Sequence, residues 1–200
     1  MPPPRFTTGE LKPDDVNFCY GSRDGLLWPV LDAIFDIGLR YENTNVAVKQ
    51  RKDFLASRGI GICDIVASCK RDKIDASDLG MQEPQLRDVV EYLRQYPKID
   101  TLIFTGGNSK NGPEYFFRKH VKTHGISLSV ISNTVPRVHE FLLPNAKGEA
   151  IRTIKTVSLT APSGSANRAI GSTQEYKTRK DSEPTFNTID FRVLQYRAWF

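Results

Sequence analysis

The sequence predicts an α/β fold: a three-layer α/β/α sandwich around a mainly parallel central sheet, formed as a single domain over residues 1–200. Two observations predict it. Short β-branched apolar runs alternate with longer stretches whose apolar residues recur at helical spacing. The apolar runs also end in Gly- and Ser-rich turns, which place polar groups at the carboxyl edge of a sheet, where α/β proteins keep their chemistry. The chain is long enough to enclose a real core, and 39% hydrophobic with 26% charged residues is a globular composition rather than a disordered one.

Residues 1–19 read as an N-terminal loop, because Pro2, Pro3 and Pro4 remove the donors a sheet ladder needs. A helix is expected from Leu26, with Pro29 in its first turn and Trp28, Leu31, Ile34, Phe35 and Leu39 on its apolar face. A second helix, 46–57, carries Phe54 and Leu55 and is stopped by Gly59. The run 59–69 is apolar apart from one acid, which predicts a strand buried on both faces and ending near Asp64. Residues 70–82 read as polar loop, and Pro84 opens a third helix over 83–96. The run 99–109 predicts another buried strand closing in the turn Gly106-Gly107-Asn108. A helix over 114–123 and a short strand over 127–131 follow. Residues 138–143 and 150–159 flank Pro-Asn-Ala-Lys-Gly-Glu and read as a hairpin. Residues 184–200 read as a closing helix with Phe191, Leu194, Tyr196 and Trp199.

Charge and cysteine content narrow the function classes. The formal charge is +5, and 147–180 holds seven Lys or Arg with far fewer acids, so a phosphate backbone is an expected neighbour of that stretch. Cys19, Cys63 and Cys69 form no C-x-x-C pair, which argues against a disulfide framework or a zinc site and for a reducing cytoplasm. No apolar run reaches bilayer length and no signal-peptide core stands at the start, so no membrane partner is expected.

Three strand ends carry the candidate chemistry: Asp64, Gly106-Gly107-Asn108, and Pro162-Ser163-Gly164-Ser165. A carboxylate inside a buried strand is costly unless it is hydrogen-bonded or functional. The glycine pair lets backbone approach a ligand, but the Gly-Lys-Ser/Thr of a phosphate-cradling loop is missing. The loop 18–25 mixes Phe18 and Tyr20, which can stack on a planar ligand, with Ser22, Arg23 and Asp24, which can bond its edges; Asp24 also suits a helix cap. His120 and His124 lie four apart, as zinc ligands can, but no third ligand or intervening Glu accompanies them, and they read as a surface face.

The order of these motifs resembles the uracil-DNA glycosylase superfamily, nearest its mismatch- and hypoxanthine-type branches. The resemblance rests on Tyr-Gly-Ser-Arg-Asp-Gly-x-x-Trp-Pro, then Gly-Ile-Cys-Asp-Ile-Val-Ala-Ser-Cys, Leu-Ile-Phe-Thr-Gly-Gly-Asn and Pro-Ser-Gly-Ser-Ala-Asn, covering residues 20–168. It implies a DNA glycosylase that flips a deaminated or mispaired base and hydrolyses its N-glycosidic bond without metal or cofactor, acting as a monomer. It implies that Phe18 or Tyr20 stacks on the base, and that Ser22, Arg23, Asp64, Gly106 and Asn108 read it. Pro162, Ser163, Gly164 and Ser165 would grip the phosphate backbone, with Asn167 and Arg168 entering the duplex. Asp24, then Asp64, are the expected catalytic carboxylates. The family's first strand and its Gly-x-x-Pro loop are reduced here to Met1-Pro-Pro-Pro-Arg, and Ala161 stands where many members carry a histidine. These departures keep a catalytically inactive DNA- or base-binding member of the same fold as the alternative.

Overall fold

The computed structural model describes residues 3–73, 77–107, 109–145 and 147–200. The chain divides into two compact units, one comprising Met1–Cys63 and Pro162–Phe200, the other Asp64–Lys73 and Ser77–Ala161.

The first unit is helical. A single turn, α1 (Arg5–Thr8), stands where proline content predicts only loop; Pro4 is its N-cap residue, and Gly9 ends it with a left-handed backbone. The expected Trp28 helix is α2 (Leu27–Phe35), burying Leu27, Trp28, Val30 and Leu31. Leu39 is buried too, but from the connection beyond the helix. α3 (Asn45–Arg58) is capped by the Thr44 side chain at its start and by left-handed Gly59 at its end. After Pro162 come α6 (Asn167–Ser172), α7 (Gln174–Ser182) and α8 (Thr188–Arg197). α8 opens with a reciprocal cap, Asn187 accepting from the Asp190 amide while Asp190 accepts from the Asn187 amide. Ile170, Phe186 and Phe191 form a small core with Tyr176 against it.

The second unit holds two sheets. β1 (Val66–Lys70) pairs antiparallel with β2 (Gln82–Leu86), and this two-stranded sheet replaces the buried strand expected over 59–69. The apolar run is divided: Gly59 caps a helix, Gly61, Cys63 and Asp64 are exposed, and pairing begins only at Val66. The expected helix 83–96 is likewise shortened to α4 (Val89–Gln95), because Asp88 caps it through the Glu91 amide and the preceding residues pair as β2.

The larger sheet contains β3 (Thr101–Phe104), β4 (Ser129–Ser132), β5 (Arg137–Pro144) and β6 (Ala150–Ser158), in the order β3-β6-β5-β4. The fold is α/β with a mixed sheet, which corrects the mainly parallel expectation. Only β3 and β6 run parallel; β5–β6 and β4–β5 are antiparallel. The predicted 138–159 hairpin occupies the middle of the order, so its own turn makes β5–β6 antiparallel, and the short connection 133–136 does the same for β4–β5. α5 (Pro113–Thr123) joins β3 to β4. α4 and α5 pack on one face of this sheet, where Val90, Leu93, Phe117 and Val121 meet Phe104, Phe141, Leu143 and Ile154.

Candidate functional site

In the helical unit the loop 20–26 is held by an ion pair that sequence reading did not find. Asp15 is fully buried and accepts from Arg5 Nε at 2.5 Å and Nη2 at 2.9 Å, from the Lys12 amide at 2.9 Å and from the Arg23 amide at 2.8 Å. The Arg5 hydrogen bonds outweigh burial and, with the two amides, hold the Asp15 carboxyl far below the ordinary carboxylate range. Arg5 also reaches Ser22 Oγ at 2.8 Å and Asp24 Oδ2 at 3.2 Å. One guanidinium therefore fixes the start of the loop, its serine and the candidate catalytic carboxylate.

Backbone geometry completes the loop. Gly21 accepts from the Val16 amide through its carbonyl at 2.7 Å, and a Cβ there would stand 1.9 Å from the Val16 carbonyl oxygen, so only glycine fits. Tyr20 lies in the left-handed region with φ 56°, which costs a non-glycine residue about 1–2 kcal/mol. Tyr20 is 38% exposed, whereas Phe18 packs beside Trp28 with ring centroids 6.0 Å apart. Of the two candidate stacking residues, Tyr20 is the more exposed. Trp28 Nε1 donates to the Cys19 carbonyl at 2.8 Å, tying the loop to the helix that follows it.

The turn 162–168 belongs to the same unit. The Leu26 amide donates to the Pro162 carbonyl at 3.0 Å, which joins the two motifs directly. Ser163 leads into a 3-10 turn, Gly164–Ala166, that runs into α6. Fully buried Arg192 on α8 donates from Nη2 to the Ser163 carbonyl at 2.8 Å and from Nη1 to Asn167 Oδ1 at 2.9 Å. Burial lowers its pKa from the usual arginine value. The expectation that Asn167 enters a duplex meets an engaged side chain here, while Gly164, Ser165 and Arg168 are exposed. Ser163 Oγ and Ser165 Oγ lie 2.9 Å apart.

The remaining candidates lie elsewhere. Asp64 and Gly106 belong to the sheet-bearing unit, and Asn108 falls outside the described residues. Asp64 is exposed and precedes β1 rather than interrupting a buried strand, so its carboxylate bears no large desolvation cost. A cleft of about 720 Å³ in the helical unit meets the candidate loop at Arg23 and is otherwise lined by Asp14, Asp32, Asp36 and Tyr41 among others.

The sheet-bearing unit contains a polar cluster that no motif announced. Glu114, in the first turn of α5, is 1% exposed; its Oε1 accepts from Arg118 Nε at 2.9 Å, and its Oε2 lies 3.3 Å from Arg137 Nε. Arg118 Nη2 lies 2.7 Å from His139 Nε2, giving His139 the partner that sequence reading did not supply. Burial, then Arg118, hold the His139 imidazole below its ordinary pKa, so it is neutral at pH 7. Register explains the assembly: Arg137 pairs with Ser158 and His139 with Thr156, so alternate residues of two strands share one face under α5. A Cβ on Gly107 would stand 3.3 Å from Arg137 Nη2, which sets this cluster against the turn after β3.

No helix among the described residues is long and apolar enough to cross a membrane. No family model, curated protein or solved structure matches this chain.

Proposed function

We propose that this chain is a DNA glycosylase-type base-excision protein of the uracil-DNA glycosylase kind, acting on a deaminated or mispaired base. The observation that carries the reading is the 3.0 Å bond from the Leu26 amide to the Pro162 carbonyl. It sets an aromatic and acidic loop beside a serine turn, in the combination that base extrusion asks for. Tyr20 stacks on the extruded base and Ser22 and Arg23 bond its edge, at least cost for a base that is already mispaired or damaged. The exposed amides and hydroxyls of the turn, with Arg168, take the distorted phosphate backbone. Asp24 stabilises positive charge on the sugar as the C1′–N bond breaks; the base departs with the bonding electrons, water adds its oxygen at C1′, and the proton that this water loses ends on the departed base.

One observation favours a second reading, an inactive member that binds DNA or free base. Asp24 is paired with Arg5, and a carboxylate already neutralised by a guanidinium is a weaker electrostatic partner for a cationic sugar. One experiment separates the two. Purified protein is incubated with oligonucleotides carrying uracil, hypoxanthine or xanthine, and abasic sites are revealed by alkaline cleavage. Excision that falls at least tenfold in Asp24→Asn supports the enzyme. Salt-dependent DNA binding without base release selects the second reading, and folded protein that neither binds nor cleaves overturns both.

A further inference from the structure

The two histidines that sequence reading assigns to a surface face acquire a third neighbour from a distant element. His120 lies in the last turn of α5 and His124 is its C-cap residue, four positions on, with the two rings 4.8 Å apart between centroids. Asp88, the N-cap residue of α4, brings Oδ1 within 3.3 Å of His120 Nε2 and 3.5 Å of His124 Nε2. One potential ligand atom from each residue lies within 4.8 Å of the others. From this geometry we infer that Asp88, His120 and His124 form a binding site for a divalent transition-metal ion of the zinc class.

The distances suit such an ion. Zinc held tetrahedrally at 2.0–2.1 Å by nitrogen and oxygen has ligand atoms about 3.3 Å apart. Both histidine–aspartate separations are already at that length. Bringing the two imidazole nitrogens to that length would ask for a turn of the His124 ring, whose side chain is 22% exposed against 10% for His120. Two neutral imidazoles and one carboxylate leave a dication with one positive charge and a fourth position for water. Burial lowers the His120 pKa, which favours the neutral form that a metal needs. The Val90 amide also points at His120 Nε2, at 3.4 Å, and a contact that long is a weak competitor.

The site is tested on the full chain after chelator treatment, with cobalt(II) as the spectroscopic probe and zinc as competitor. One equivalent of cobalt producing the visible absorption of a four-coordinate ion, lost when zinc is added, is the expected result. Asp88→Asn preserves the helix cap, since asparagine caps as well as aspartate, and removes only the ligand charge. His124→Ala removes a partly exposed ring. Each is expected to weaken cobalt binding at least tenfold with thermal unfolding of the metal-free protein unchanged for His124→Ala. Absence of cobalt and zinc binding by folded protein overturns the inference, and so does wild-type affinity in either variant. These readouts do not involve DNA, so their outcome is separate from that of the glycosylase proposal.

Discussion

Replacing Arg192 with methionine tests whether a buried guanidinium sets the position of the serine turn. Methionine keeps the unbranched stem and most of the volume, so the change reports the charged head rather than a cavity. Among the hydrogen bonds of Arg192, the one to the Thr188 carbonyl at 3.0 Å stays within α8. Two others, to the Ser163 carbonyl and Asn167 Oδ1, tie the turn. Bonds from a charged donor are worth roughly 1.5–3 kcal/mol each, so the pair gives roughly 3–6 kcal/mol. The Ser163 carbonyl keeps the Ala166 amide at 3.2 Å as a donor and Asn167 is an exposed residue, so the low end applies. A loss of about 3 kcal/mol corresponds to a fall in Tm of about 6–12 °C for a chain of this size. Arg192→Lys recovers less than half, because an ammonium lacks the planar fork that reaches two acceptors.

The assay pairs thermal or urea unfolding with DNA binding across a salt series. Arg192→Met weakens binding about tenfold through the displaced turn but leaves the salt slope unchanged, because a fully buried side chain releases no counterion. Arg168→Ala, at an exposed position, lowers the slope by about one with little effect on stability. If Arg192→Met unfolds at the wild-type midpoint, the guanidinium does not hold the turn. If it also lowers the salt slope, Arg192 touches phosphate and its structural role is wrong.

Other substitutions probe other parts of the two units. Asp15→Ala leaves Arg5 without its buried counter-charge and destabilises by about 3–5 kcal/mol. The Asp15 carboxyl is depressed in the folded state, so its contribution is complete above about pH 4 and is lost as pH falls further; acid unfolding of the wild type, flattened in Asp15→Ala, checks the sign. His139 is also held below its ordinary pKa, so stability from this group is complete above about pH 6.5 and declines as pH falls; His139→Gln reduces the Tm difference between pH 7 and pH 5. Gly112→Ala places a Cβ 2.7 Å from the Gly107 carbonyl oxygen and costs roughly 2 kcal/mol or more in urea unfolding, by overpacking against backbone. Gly107→Ala meets only the flexible end of Arg137 and stays within about 1 kcal/mol of wild type.

Much of the fold is written in periodicity and punctuation. α2, α3, α5 and α8, together with the β5–β6 hairpin, stand close to where apolar spacing, Pro29, Pro113, Gly59 and the Lys147-Gly148 turn place them. The failures share a cause. Residues 59–69 are apolar enough for a buried strand, but composition does not report that Gly59 is consumed as a helix cap. Residues 83–86 have the content of a first helical turn, yet pairing with 66–70 draws them into β2. In both cases a contact from outside the window overrides local preference. Within the candidate site, the Tyr20 loop and the serine turn are legible as motifs. Their juxtaposition through Leu26 and Pro162 spans too many residues for a local pattern to report.

The charged residues that organise each unit leave a fainter signal, but a real one. Arg192 and Tyr196 are four apart and both fully buried, so a charge lies on the apolar stripe of α8. Arg51 repeats the pattern on α3 among Ala47, Phe54 and Leu55, with its guanidinium against the rings of Trp28 and Tyr41. Glu114 does so on α5 with Phe117 and Val121. Reading a charged residue as a solvated face is sound when its neighbours at three and four residues are polar. When those neighbours are apolar, the same residue lies on the buried side and requires a partner from another element, because an unpaired buried charge is too costly to keep. Arg192 meets that requirement with the Ser163 carbonyl and Glu114 with Arg137. A charge on an apolar helical stripe therefore predicts a long-range polar contact, and in this chain such contacts occur at the serine turn and at the Glu114–Arg137 pair.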